Sequence, residues 1–127
     1  MGATLHEMLQ NLSGEVPGCR HTSVIDSRTG IALAASSKTD PLDSAGADAF
    51  HSDLYRLSGS ILEGTPLAGQ TEEIVLNSGS STFVSVPIAD TGYLWLVVTE
   101  RDTTVGFVQA LMRKHLTKIQ EGLSPFI

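Results

Sequence analysis

Apolar residues recur along the chain at two different periods, and each change of period marks a new element. Leu5, Met8, Leu9 and Leu12 follow one another at helical spacing. They stand behind Thr4-Leu5-His6-Glu7, a capping box in which the threonine hydroxyl and the glutamate satisfy each other's orphan backbone donors. Gly14 and Pro17-Gly18 stop this first helix. Two short apolar segments, 19–26 and 31–35, flank the polar Ser27-Arg28-Thr29-Gly30 and predict a hairpin. From 44 to 62 the spacing returns to steps of three and four, through Ala47, Phe50, Leu54, Leu57 and Ile61. That predicts an amphipathic helix about 28 Å long, ended by Gly64-Thr65-Pro66. Segments 71–77, 82–89 and 93–100 read as three strands whose turns are short enough to force antiparallel neighbours. Asp102 is the expected N-cap of a last helix. Its face is Val105, Val108, Met112, Leu116 and Ile119, its late cations Arg113, Lys114 and Lys118 suit a C-terminal dipole, and Gly122 and Pro125 close it. The predicted order is α-ββ-α-βββ-α.

Alternation within the strands sorts their side chains onto two faces. The fourth strand puts Val84, Val86 and Ile88 opposite Phe83 and Ser85; the fifth puts Leu94, Leu96 and Val98 opposite Tyr93, Trp95 and Val97. The fifth strand is apolar on both faces, so both faces of the sheet must be covered. Glu72-Glu73-Ile74-Val75-Leu76 would be an open edge in a single copy, which a second copy could pair. The stripe on the central helix fits a helix lying on its own sheet and equally a helix paired with another copy, and spacing does not separate the two.

Composition narrows the class. A chain of 127 residues, 41% hydrophobic and 17% charged, fits one globular domain spanning 1–127 with its core at about 5–121. A net charge of −6 argues against duplex nucleic acid, whose binding draws on lysine and arginine. The single cysteine, Cys19, closes no internal disulfide, and no signal segment precedes Thr4, so the cytoplasm is the expected compartment. No apolar run approaches the roughly 18 residues a bilayer span needs. Met1-Gly2-Ala3-Thr4-Leu5-His6 places histidine where a myristoylation motif wants serine or threonine, so no membrane partner is expected.

Candidates for site chemistry fail one by one. The stretch from Gly64 to Thr71 approaches a P-loop, but Gln70 replaces the lysine that reaches the phosphates, and the segment runs from helix to strand. His6, His21, His51 and His115 lie on four predicted elements with no carboxylate or cysteine at ligand spacing, so no metal is expected. Ser23 and Asp26 neighbour His21 in sequence, yet an extended strand holds them apart and no nucleophile elbow is present. Asn11-Leu12-Ser13 matches a glycosylation sequon inside a predicted helix and is read as chance, and Cys19 as a small core residue. Neither a catalytic centre nor a cofactor is predicted.

Four features in order resemble the roadblock/dynein light chain family over about 5–121. They are an opening helix running into Val16-Pro17-Gly18, a hairpin turn reading Ile25-Asp26-Ser27-Arg28-Thr29-Gly30-Ile31, an alanine-containing central helix, and Glu100-Arg101-Asp102 leading to Val105-Gly106. The long first and third helices resemble the bacterial and archaeal members, such as the GTPase-regulating roadblock proteins of gliding motility. Thr22-Ser23 is unusually polar for the first strand of such a protein, and Gly46 and Gly59 weaken the central helix. The resemblance implies an α/β (α+β) profilin-like sandwich. In it a five-stranded antiparallel sheet, ordered two-one-five-four-three, carries helices one and three on one face and helix two on the other. It implies a homodimer joined through helix two and the third strand, with Ala47, Phe50, Leu54, Leu57, Ile61, Ile74 and Leu76 as interface candidates. It also implies a non-enzymatic module that binds and regulates or scaffolds a small Ras-like GTPase, at most raising its partner's hydrolysis indirectly. Asp48, His51, Asp53, Tyr55 and Arg56 are candidates for the exposed partner surface on helix two. Rival readings are a ligand-sensing or purely structural homodimer, for which no convergent polar cluster is evident, and a dynein-type light chain.

Overall fold

The computed structural model describes residues 4–66 and 69–127. The start of the myristoylation-like segment and the middle of the stretch from Gly64 to Thr71 lie outside them. Helix α1 (Leu5–Glu15) begins where the cap predicts, with Thr4 Oγ1 accepting the Glu7 amide at 3.2 Å. Strands β1 (Cys19–Asp26) and β2 (Ala32–Ser37) form the hairpin. Its turn is held by the Asp26 carboxylate, which accepts the Arg28 amide at 2.9 Å. Helix α2 (Pro41–Glu63) starts earlier than the apolar spacing places it. Asp40 caps it, accepting the Leu42 amide, and Pro41 occupies the first turn, where its missing N–H costs nothing.

Strands β3 (Ile74–Asn77), β4 (Ser81–Ile88) and β5 (Tyr93–Glu100) follow as an antiparallel meander. The N-cap position of helix α3 (Val105–Leu123) falls on Thr104 and not on Asp102, with no side-chain capping bond. Residues just before it are turned instead: the Thr103 amide donates to the Glu100 carbonyl at 3.2 Å, and the Thr103 hydroxyl to the Pro17 carbonyl at 2.6 Å. A 3₁₀ turn over Ser124–Phe126 ends the chain.

The five strands form one sheet ordered β2-β1-β5-β4-β3, every neighbouring pair antiparallel, as the resemblance implied. Helices α1 and α3 cover one face, where Leu9, Leu12, Met112, Ile119 and Leu123 meet Val24, Val84, Trp95 and Val97. Gly122 lets α1 and α3 meet closely, since a Cβ there would lie 2.8 Å from Met8 Sδ and 3.3 Å from Leu5 Cα. Thr22, the polar residue that looked out of place in the first strand, sits under this core. Its hydroxyl accepts from Trp95 Nε1 at 3.0 Å and donates to the Leu96 carbonyl at 2.9 Å, so the indole is buried with its N–H satisfied.

Helix α2 covers the opposite face over a smaller apolar layer of Ile25, Leu94, Leu96 and Val98, joined by Ala47, Tyr55 and Phe83. The hairpin turn is pressed against it. Gly30 has φ of 75°, and a Cβ there would come within 3.1 Å of Ala49 Cα. Gly30→Ala meets both left-handed strain and a backbone contact. It is expected to lower stability by roughly 1–3 kcal/mol, read as a lower urea midpoint with an unchanged slope; an unshifted midpoint would show that the turn yields freely.

Candidate functional site

The two sides of α2 differ in kind, and the difference reverses the usual arrangement of an amphipathic helix. Its underside sets buried polar residues beside Ala47 and Tyr55. Asp48 is 3% exposed and His51 0%, with Ser52 buried beside them. One carboxylate oxygen of Asp48 accepts from His21 Nε2 at 2.8 Å and from the Ser23 hydroxyl at 2.7 Å, both on β1. The Ser52 hydroxyl donates to the Ser27 carbonyl at 2.7 Å. Arg56 Nη1 reaches the Ser27 and Arg28 carbonyls at 3.1 and 2.8 Å, while its other terminal nitrogen pairs with Asp53. Ser52 and Arg56 thus latch α2 to the β1–β2 turn, where the Arg28 amide and then its side chain hold the Asp26 carboxyl below its ordinary range.

His51 has no such partner. Its ring stacks on Phe83 of β4 with centroids 5.2 Å apart and meets Phe50 edge-on at 5.9 Å. Among the described residues, neither ring nitrogen finds a hydrogen-bonding group. Burial pushes its pKa down, against an opposing pull from Asp48. Asp48 and His51 are therefore not the open partner surface expected of them. The sheet beneath α2 presents His21 and Ser23, so the helix turns polar residues inward to meet them. Tyr55 is half-buried in the same layer, and Arg56 is engaged with the turn.

The outer side of α2 carries an apolar stripe among exposed polar residues such as Asp53 and Ser60. Phe50 is 52% exposed, Leu57 57%, Ile61 57% and Leu42, at the helix start, 83%. Gly46 lies on the same side, and apart from the helix's own adjoining residues no atom falls within 4 Å of where its Cβ would be. Ala47 and Leu54 flank this stripe half-buried, Ala47 being packed into the layer below. Among the described residues strand β3 pairs only with β4, leaving its other edge open, with Val75 and Leu76 exposed and Ile74 half-buried.

Other reactive groups are spoken for. The Ser23 hydroxyl donates to a carboxylate and not to an imidazole, and Ser23 is fully buried, so the trio of His21, Asp48 and Ser23 lacks the arrangement that activates a serine. Burial pushes the Cys19 thiol up, away from the thiolate that reacts. His115 meets Glu15 at 2.7 Å across α1 and α3, and that hydrogen bond lowers the Glu15 pKa. Two histidines thus find carboxylates that sequence spacing could not reveal. Among the described residues, no group of three or more histidine, cysteine or acidic side chains could hold a metal ion, and no helix is long and apolar enough to cross a membrane.

This arrangement, a five-stranded antiparallel sheet between one helix and two, defines an α+β sandwich of the profilin kind. Profilin II of Acanthamoeba castellanii superposes with a TM-score of 0.58 at 16% identity, over 94% of this chain and 99% of that one. More particularly, the fold is that of roadblock/LC7 domains. A roadblock/LC7 domain from Streptomyces avermitilis gives a TM-score of 0.83 at 17% identity over 96% of this chain and 99% of its own. MglB of Myxococcus xanthus gives 0.80 at 9% identity over 95% of each chain. No protein-family model matches the sequence, and no curated protein matches it either.

Proposed function

We propose that this chain is a homodimeric protein-interaction module that binds and regulates or scaffolds a small Ras-like GTPase, in signalling, polarity or motility, without catalysing a reaction itself. The observation that carries the reading is the outward stripe of α2, Phe50, Leu57 and Ile61, beside the open edge of β3. A contiguous apolar strip of this sort marks a protein contact. Two copies related by a twofold axis would lay α2 against α2 and β3 against β3, with Leu54, Ile74 and Leu76 joining the contact. Gly46 would let the two helix backbones approach. Each large side chain withdrawn from water contributes up to roughly 1.5–3 kcal/mol, so the stripe suffices for stable pairing. The GTPase part of the reading rests on the roadblock resemblance, and Asp53, with the exposed part of Arg56, is the place on α2 where such a partner would find charge.

Leu57→Glu tests the pairing cleanly, because Leu57 packs outward and its loss leaves the protein's own core intact. The wild type is expected to elute as a dimer by gel filtration with light scattering, and Leu57→Glu as a folded monomer whose unfolding midpoint is lower by the lost association and no longer depends on protein concentration. A dimeric variant would sink the proposed interface. For the partner, a pull-down with a Ras-like GTPase encoded beside this gene, loaded with GDP or with GTP, should retain the GTPase in at least one state. Retention in neither state would remove the GTPase reading and leave the pairing untouched.

A further inference from the structure

We propose that protonation of His51 releases α2 from the sheet at mildly acidic pH, making the α2 pairing acid-sensitive; the second half rests on the self-pairing reading above. The groups around His51 make a proton there costly. From α2 it faces Phe50 and the committed carboxylate of Asp48. From β4 it faces the ring of Phe83, and β5 supplies only Leu94, Leu96 and Val98 to this layer. From β1, His21 and Ser23 reach the same Asp48 oxygen and occupy it. An imidazolium has two N–H donors, and at His51 neither has an acceptor among the described residues. His21 Nε2 meets the Asp48 carboxylate at 2.8 Å, while its Nδ1, like both His51 nitrogens, is buried with no hydrogen-bonding partner among the described residues.

Lifting α2 gives the His51 ring to water, where it titrates ordinarily, so protons favour the lifted state. The sign follows from the depressed folded-state pKa: stability is full above the ordinary histidine value and falls as pH drops through it. Exposed histidine titrates near 6.5, so at pH 5.5 the lifted state is protonated about ten to one, which bounds the effect at about tenfold. The latch to the hairpin turn runs through the Ser52 hydroxyl and the Arg56 guanidinium and does not involve the His51 ring.

Amide hydrogen exchange on the full chain at pH 7.5 and 5.5, corrected for intrinsic rates, reads the release directly, and light scattering at the same two pH values reads the pairing. Protection of α2 relative to β5 is expected to fall by up to about tenfold at pH 5.5, with a matching shift from dimer to monomer. In His51→Phe, which keeps the stack on Phe83, or in His51→Gln should the first variant not fold, α2 protection should be the same at both pH values. Wild-type α2 protection independent of pH would overturn the release, as would an undiminished pH response in either folded variant. A monomer at both pH values would overturn the pairing reading while the exchange data still decided the release. A dimer whose α2 ignores pH would do the reverse.

Discussion

Asp48→Ala is expected to lower the free energy of unfolding by about 3–5 kcal/mol, the cost of breaking a buried polar pair by removing one member. The carboxylate is the shared acceptor for His21 Nε2 and the Ser23 hydroxyl. Alanine would strand both donors in a layer that water does not reach, and stranded donors lose more than the hydrogen bond itself contributes. Asp48→Asn separates shape from charge. Its amide oxygen can accept from the same two groups, so the loss should fall to about 1–2 kcal/mol. Urea unfolding near neutral pH checks both, and equal losses for the two variants would mean that charge alone, and not the shared acceptor, holds the layer together.

Trp95→Ala is the companion on the opposite face of the sheet, where the loss is one of volume. The indole is fully buried among Val24, Val84, Val97 and the inner faces of α1 and α3. Truncation of a buried tryptophan costs about 3–5 kcal/mol, and more where the surroundings cannot collapse. Neighbours on the central strand β5 are fixed by pairing on both sides, so little collapse is available. Trp95→Phe should cost markedly less, since the Thr22 hydroxyl loses the indole donor but keeps its own bond to the Leu96 carbonyl. Because Trp95 is the chain's sole tryptophan, the comparison is best followed by far-ultraviolet circular dichroism. A Trp95→Ala protein as stable as the wild type would contradict the packing described.

Much of the fold was legible in the residues because local chemistry and burial agree there. Alternation on β4 and β5 sorted Val84, Ile88, Trp95 and Val97 from Phe83, Leu94, Leu96 and Val98, and the two apolar layers divide along that line. Thr4 and the glycines at the turns placed α1 and the β1–β2 hairpin. Errors fall where a cap or a neighbour outvotes periodicity. Asp40-Pro41 starts α2 before its first apolar repeat, and the tie between Thr103 and Pro17 displaces the expected cap at Asp102.

The candidate site was harder to read, for a physical reason. Helical spacing says which residues share a side but not which side meets the sheet, and the ordinary rule turns the apolar side inward. Here β1 offers His21 and Ser23 on its α2-facing side, so Asp48, His51 and Ser52 go in and Phe50, Leu57 and Ile61 stay out. The polar stretch of the first strand was the available signal, and it pointed to this reversal once matched with Asp48, His51 and Ser52 one turn apart. The convergent polar cluster that seemed missing is assembled from two elements distant in sequence. Its hydrogen bonds join His21 and Ser23 each to Asp48.

The order of the strands in the sheet also bears on how the chain finds its structure. The β1–β2 hairpin and the β3–β4–β5 meander are each built from neighbours in sequence, but the central seam joins Thr22 to Trp95 across 73 positions. Everything between, α2 included, must be looped out before that seam can close, and the entropy of closure is spent before the contacts across β1 and β5 compensate for it. Loop closure depends only logarithmically on length, so the long span between β1 and β5 adds little more to the cost of closing this seam than a loop of half its length would.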